Sequence, residues 1–176
     1  MNMKSKSGCG KRLYNLLPLS FALVALSLIS AGLFAQTNFS GTWAFNQSKS
    51  VLGDGPMMSP TTITVTQTTA IISTDVVQPS FDGSEMKMSN KYTLDGKESA
   101  NTGMMNSSVK TIVTWSDDKK EMKFANTIVF DMNGEKMEMK SNEAWRLSDD
   151  GKTLTVKTAF SSQMGDSNFT LVYDKK

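Results

Sequence analysis

Residues 121–147 read EMKFANTIVFDMNGEKMEMKSNEAWRL, and this stretch decides the fold. Met122, Phe124, Asn126, Ile128 and Phe130 alternate with Glu121, Lys123, Ala125, Thr127 and Val129. Beyond Asn133-Gly134 the alternation resumes, with Met137, Met139, Ser141, Glu143, Trp145 and Leu147 opposed to Lys136, Glu138, Lys140, Asn142, Ala144 and Arg146. Successive side chains of a strand point to opposite faces, so a period of two with charge on one side marks two strands, each with one mainly apolar face. Asn-Gly supplies the positive φ of a tight turn and joins them as a hairpin. Such one-sided strands need more sheet to cover the apolar face.

The same grammar runs through the chain after Asn38. Phe39, Gly41, Trp43 and Phe45 share one face of a first strand. Ile63 and Val65 alternate with Thr62, Thr64 and Thr66 in a second, and residues 70–77 form a third. Residues 84–94, 107–115, 121–131, 135–147, 152–160 and 168–174 complete the set. In the first of these, Met86, Met88, Asn90, Tyr92 and Leu94 oppose Glu85, Lys87, Ser89, Lys91 and Thr93. Turn signals stand between strands at Asp82-Gly83, Asp95-Gly96, Asp117-Asp118, Asn133-Gly134, Asp150-Gly151 and Gly165-Asp166. No segment beyond residue 35 carries a persuasive 3.6 period. The pattern predicts an all-β fold, an antiparallel up-and-down β-barrel of eight to ten strands. Consecutive hairpins without a long crossover favour it over the alternative, a β-sandwich.

Upstream, Lys4, Lys6, Lys11 and Arg12 precede an uncharged run at residues 13–35, LYNLLPLSFALVALSLISAGLFA. A basic start, a hydrophobic centre and a small residue at the exit read as a secretory signal peptide over residues 1–35. Cleavage is expected after Ala35, with Gly32 as the second candidate. The alternative is an uncleaved anchor, because 23 helical residues can cross a hydrocarbon core of about 30 Å. Pro18 and Ser20 thin the hydrophobicity and favour cleavage. Residues 36–176 then form one domain, expected in the periplasm or outside the cell, with no membrane span after processing.

Cys9 precedes the apolar run, so it is not placed to carry a lipid, and the exported chain is free of cysteine and of disulfides. Four of the 19 Lys and Arg residues lie in the signal, leaving 15 against 17 Asp and Glu, a net charge of −2. The basic residues are dispersed among acidic ones, which argues against nucleic-acid binding.

Catalytic machinery is not legible. The chain has no histidine, so no ordinary Ser-His or Cys-His pair exists, and no glycine loop leads from a strand into a helix. Asp117-Asp118 and Asp149-Asp150 fall in predicted turns. No catalytic residue, metal ligand or cofactor is assigned. Methionine is abundant, with Met57-Met58, Met86-x-Met88, Met104-Met105 and Met137-x-Met139. Thioethers fill irregular core space, line adaptable apolar cavities, or bind Cu(I), and all three readings stay open. Asn90, Asn126, Ser141 and Glu143 are polar residues on inward faces, where each needs a partner, water or a ligand. The candidate lumen is therefore Met86, Met88, Asn90, Tyr92, Phe124, Asn126, Ile128, Met137, Met139 and Glu143.

The opening Asn38-Phe39-Ser40-Gly41-Thr42-Trp43 resembles the first-strand Gly-x-Trp signature of lipocalins and fatty-acid-binding proteins. The ending, residues 169–176, is similar to the closing strand of the latter. The Gly-Thr-Trp opening, Leu94-Asp95-Gly96-Lys97 and the turn at residues 147–154 together resemble small exported bacterial lipocalin-like proteins. The resemblance implies a calycin-type barrel that holds a small hydrophobic molecule, with Gly41 and Trp43 as its structural signature. It also implies that Arg146 covers the tryptophan. The chain departs from the pattern in three ways: residues 47–60 are short for a helical lid, no C-terminal helix follows the last strand, and paired cysteines are absent. The expected function is a monomeric, non-enzymatic carrier of a small hydrophobic ligand. The alternatives are a cavity-free structural or interaction module of the cell envelope and a methionine-rich Cu(I)-binding protein.

Overall fold

The computed structural model describes residues 35–53, 59–80, 82–132, 134–162 and 165–176. Residues 1–34, which hold most of the expected signal peptide, and the pair Met57-Met58 lie outside the described residues. Ten strands follow one another: β1 (Gly41–Phe45), β2 (Thr62–Gln67), β3 (Ile71–Pro79), β4 (Glu85–Thr93), β5 (Glu98–Thr102), β6 (Ser108–Trp115), β7 (Glu121–Met132), β8 (Glu135–Leu147), β9 (Thr153–Ser162) and β10 (Gly165–Lys175). All pairings are antiparallel and run β4-β3-β2-β1-β10-β9-β8-β7-β6-β5. Every ladder joins sequence neighbours except β1–β10, which brings the two ends of the domain together. This is an up-and-down barrel, and the sandwich alternative falls with it.

Between β4 and β5 the ladder is missing, and side chains take its place. The Asn101 amide accepts from the Lys91 backbone N–H at 2.9 Å and donates to the Lys91 carbonyl at 3.1 Å. Ser99 Oγ accepts from the Thr93 N–H at 3.0 Å. An asparagine amide carries the same donor and acceptor as a peptide unit, so one side chain does the work of a ladder rung. The barrel is nearly closed there.

Four of the turns share one device. Asp82, Asp95, Asp118 and Asp150 each accept, through the carboxylate, from the backbone N–H two residues on, at Ser84, Lys97, Lys120 and Lys152. These carboxylates sit below their ordinary pKa because hydrogen bonds favour the charged form; the Lys97 side chain is the largest influence on Asp95, which lies at about 2. The acidic residues of the 117–118 and 149–150 pairs are thus occupied by turn geometry at Asp118 and Asp150.

Two expectations need correction. β5 was not expected, because ESANT has no apolar alternation and only Ser99 of its residues is buried. Gly165-Asp166 is not the last turn: both residues already pair in β10, opposite Ser162 and Ser161.

One end of the barrel is packed solid. Phe39, Trp43, Met122 and Leu154 are fully buried there, with Trp115 and Trp145 stacked around Phe39 at centroid distances of 6.1 and 6.2 Å. Trp43 Nε1 donates to the Phe39 carbonyl at 3.0 Å. Gly41 has a φ of +145°, and a Cβ at that position would lie 3.0 Å from Lys175 Cε. A glycine here lets the Lys175 chain cross to the indole, with Nζ 5.3 Å from the Trp43 ring centroid.

Candidate functional site

Toward the other end the side chains no longer meet. Two communicating lobes of about 340 and about 320 Å³ share Met88, Asn90, Tyr92, Met104, Glu143, Trp145 and Phe160. The first lobe reaches β2, β3 and β10 through Ile63, Thr74, Val76, Leu171 and Tyr173. The second reaches β6, β7 and β8 through Val109, Phe124, Asn126, Ile128, Phe130, Met139 and Ser141. Strand alternation places these residues: every second residue of β4, β7 and β8 points inward.

Of the candidate lumen residues, Met88, Asn90, Tyr92, Phe124, Asn126, Ile128, Met139 and Glu143 line these lobes. Met86 and Met137 are on the same faces but farther along their strands, opposite Gln78 and Phe130, and line neither lobe. Arg146 is exposed, and the cation over Trp43 is Lys175 instead. Arg146 follows Trp145, which is buried, so alternation turns it to the outer face.

Polar groups converge where the two lobes meet. Asn126 Nδ2 donates to Ser141 Oγ at 3.1 Å and to Glu143 Oε1 at 3.2 Å, while its Oδ1 accepts from Thr111 Oγ1 at 2.7 Å. Trp145 Nε1 donates to Glu143 Oε2 at 3.0 Å. An aromatic wall stands beside them: Phe124 lies 4.9 Å from Trp145 and 5.4 Å from Tyr92, centroid to centroid. Tyr173, fully buried, makes no hydrogen bond through its hydroxyl.

Burial pushes the Glu143 carboxyl above its ordinary pKa, and the two hydrogen bonds only partly offset this. Tyr92 and Tyr173 are also pushed up, first by burial and then by the charge of Glu143. A carboxyl whose folded pKa exceeds its unfolded value contributes stability that is complete below the unfolded pKa. That contribution is lost as pH rises through the folded one. An ionised Glu143 is thus a stability burden at neutral pH, of the kind found where function demands it.

The sequence reading did not assign Thr74, Gln78, Met104, Thr111, Trp145, Thr158, Phe160 or Tyr173 to the site. Met104 comes in from the β5–β6 turn, where its Sδ accepts from Gln78 Nε2 at 3.2 Å. That turn holds Met105 and Asn106 at φ of 54° and 61°, which pattern alone does not announce.

A larger concavity of about 670 Å³ lies on the outer face of β6–β10, beside Val51. Short side chains make it, Ala125, Ala144 and Ala159 among them, with Lys123 and Lys157 alongside. Glu143 and Thr158 also border it, but the partners that hold Glu143, Asn126 and Trp145, together with Ser141, line the lumen and not this outer face.

No protein-family model matches the chain, and no curated protein sequence is significantly similar to it. Among solved structures, the chain is similar to zebrafish ileal bile acid-binding protein complexed with cholic acid. The two share 15% identity with a TM-score of 0.48, over 78% of this chain and 98% of that one.

Proposed function

We propose that this chain is an exported, non-enzymatic β-barrel that binds one small hydrophobic molecule in its lumen. The observation that carries the reading is the two-lobed interior cavity, apolar along most of its wall, with a few polar side chains that include a hydrogen-bonded cluster centred on Glu143. Small-molecule sites typically combine a largely apolar concave wall with a few placed polar groups. A structural module would be expected to fill that space with side chains. The lumen's methionines suit the same role, because an unbranched thioether adapts to ligands of different outline.

Titration with Nile red, a neutral apolar fluorophore, tests the binding. One saturable site per chain, with emission shifted to the blue, is the expected result. Fluorescence that never saturates, or stays as in buffer, would rule against a lumen site.

Export rests on residues 1–35, and intact mass of the secreted or periplasmic protein checks it. The mass should correspond to a chain beginning at Gln36. A membrane-bound species retaining Met1 would overturn it.

A further inference from the structure

Resting on that reading, we infer that the lumen selects amphiphiles with a cationic, hydrogen-bond-donating head, a primary or secondary ammonium, and discriminates against carboxylates. The charge inventory of the cavity points this way. Glu143 is the acidic residue lining the two lobes, and no lysine or arginine among the described residues lines either. The ion pairs of the described barrel join exposed or half-exposed side chains elsewhere, and none involves Glu143.

Its two hydrogen bonds come from neutral donors, the Asn126 amide and the Trp145 indole, each using one oxygen. A carboxylate offers about four acceptor positions, so lone pairs remain on both oxygens. Neutral donors orient a negative charge but do not cancel it, and a buried charge without a counter-charge is costly. An ammonium supplies both the missing charge and the missing donors.

A second observation converges on the same spot. The Tyr173 hydroxyl is buried and without a hydrogen-bond partner, and Tyr173 lines the first lobe together with Glu143. It is positioned to accept from a donor head group entering the first lobe. The rings of Tyr92, Phe124 and Trp145 line the second lobe together with Glu143, and aromatic faces attract cations most strongly where water is excluded. A carboxylate ligand would instead bring a second negative charge beside Glu143, and only protonation of one of the two would relieve the repulsion.

Isothermal titration with decylamine, decanol and decanoate, at pH 7.5 and below micellar concentrations, separates the possibilities. All three share one apolar tail. The wild-type protein should bind decylamine at least about tenfold more tightly than decanoate, with decanol between them. Glu143→Gln removes the charge at nearly the same side-chain volume, and the amide can still accept from Trp145; it should bring the amine and the carboxylate within about threefold of each other.

Decanoate binding the wild type as tightly as decylamine would overturn the inference and leave the lumen reading intact. So would an amine preference that survives Glu143→Gln unchanged. If none of the three binds, the lumen reading itself fails.

Discussion

Trp43→Ala should remove about 3–5 kcal/mol from the stability of the barrel. The expected shift in melting temperature is roughly 10 °C or more for a domain of this size. Trp43 has no exposed surface, and its register partners Ile63 on β2 and Lys175 on β10 belong to both neighbouring strands. Truncation leaves a cavity at the point where the first and last strands close the sheet. It also strips the Phe39 carbonyl of its indole donor and the Lys175 stem of the ring beneath its ammonium. A change that damages packing, a buried hydrogen bond and ring closure together should be among the most destabilising available. Urea and thermal unfolding followed by circular dichroism measure it. A variant melting within a degree or two of wild type would mean that the indole is not the keystone of this end.

Filling the lumen should do the opposite, sparing the fold while removing the binding. Thr74 on β3 lines the first lobe and Ser141 on β8 the second, and both are nearly fully buried with small side chains. The double variant Thr74→Phe, Ser141→Phe places a ring in each lobe. Overpacking a well-filled core costs about 1–3 kcal/mol per site, but here the rings enter existing space, so the cost should lie at the low end. Ser141 also gives up its contact with Asn126, which keeps Thr111 and Glu143 as partners. Nile red affinity should fall by about two orders of magnitude or more, with a cooperative thermal transition retained. A folded double variant that binds the dye like wild type would place the dye elsewhere.

The strands with one clean apolar face were legible because solvent on one side and core on the other impose a period of two. Met88, Asn90 and Tyr92 on β4, and Asn126 and Glu143 on β7 and β8, could be placed inward for that reason. β5 could not, because its pairing relies on backbone and on Ser99 and Asn101 side chains instead of apolar burial. Tyr173 was hidden by a different effect. Leu171, Val172 and Tyr173 are buried consecutively, so alternation disappears along that part of β10. The segment after β1 continues alongside β10 there: Asn46 N–H donates to the Val172 carbonyl, Ser50 Oγ accepts from Val172 N–H, and Val51 bridges Thr170. Polar groups that gather from β4, β7, β8 and β10 are a property of register between strands, and register is not written in any one strand's pattern.

The position of a bound molecule is the most direct test of all. Methyl-labelled methionine, isoleucine and valine allow nuclear magnetic resonance to follow both surfaces during a decanol titration. A lumen site predicts shifts at the Met88, Met104 and Met139 methyls, which line the interior, with exposed Ile112 and Val51 on the outer concavity unmoved. Saturable shifts at Ile112 and Val51, with the three methionines still, would contradict it.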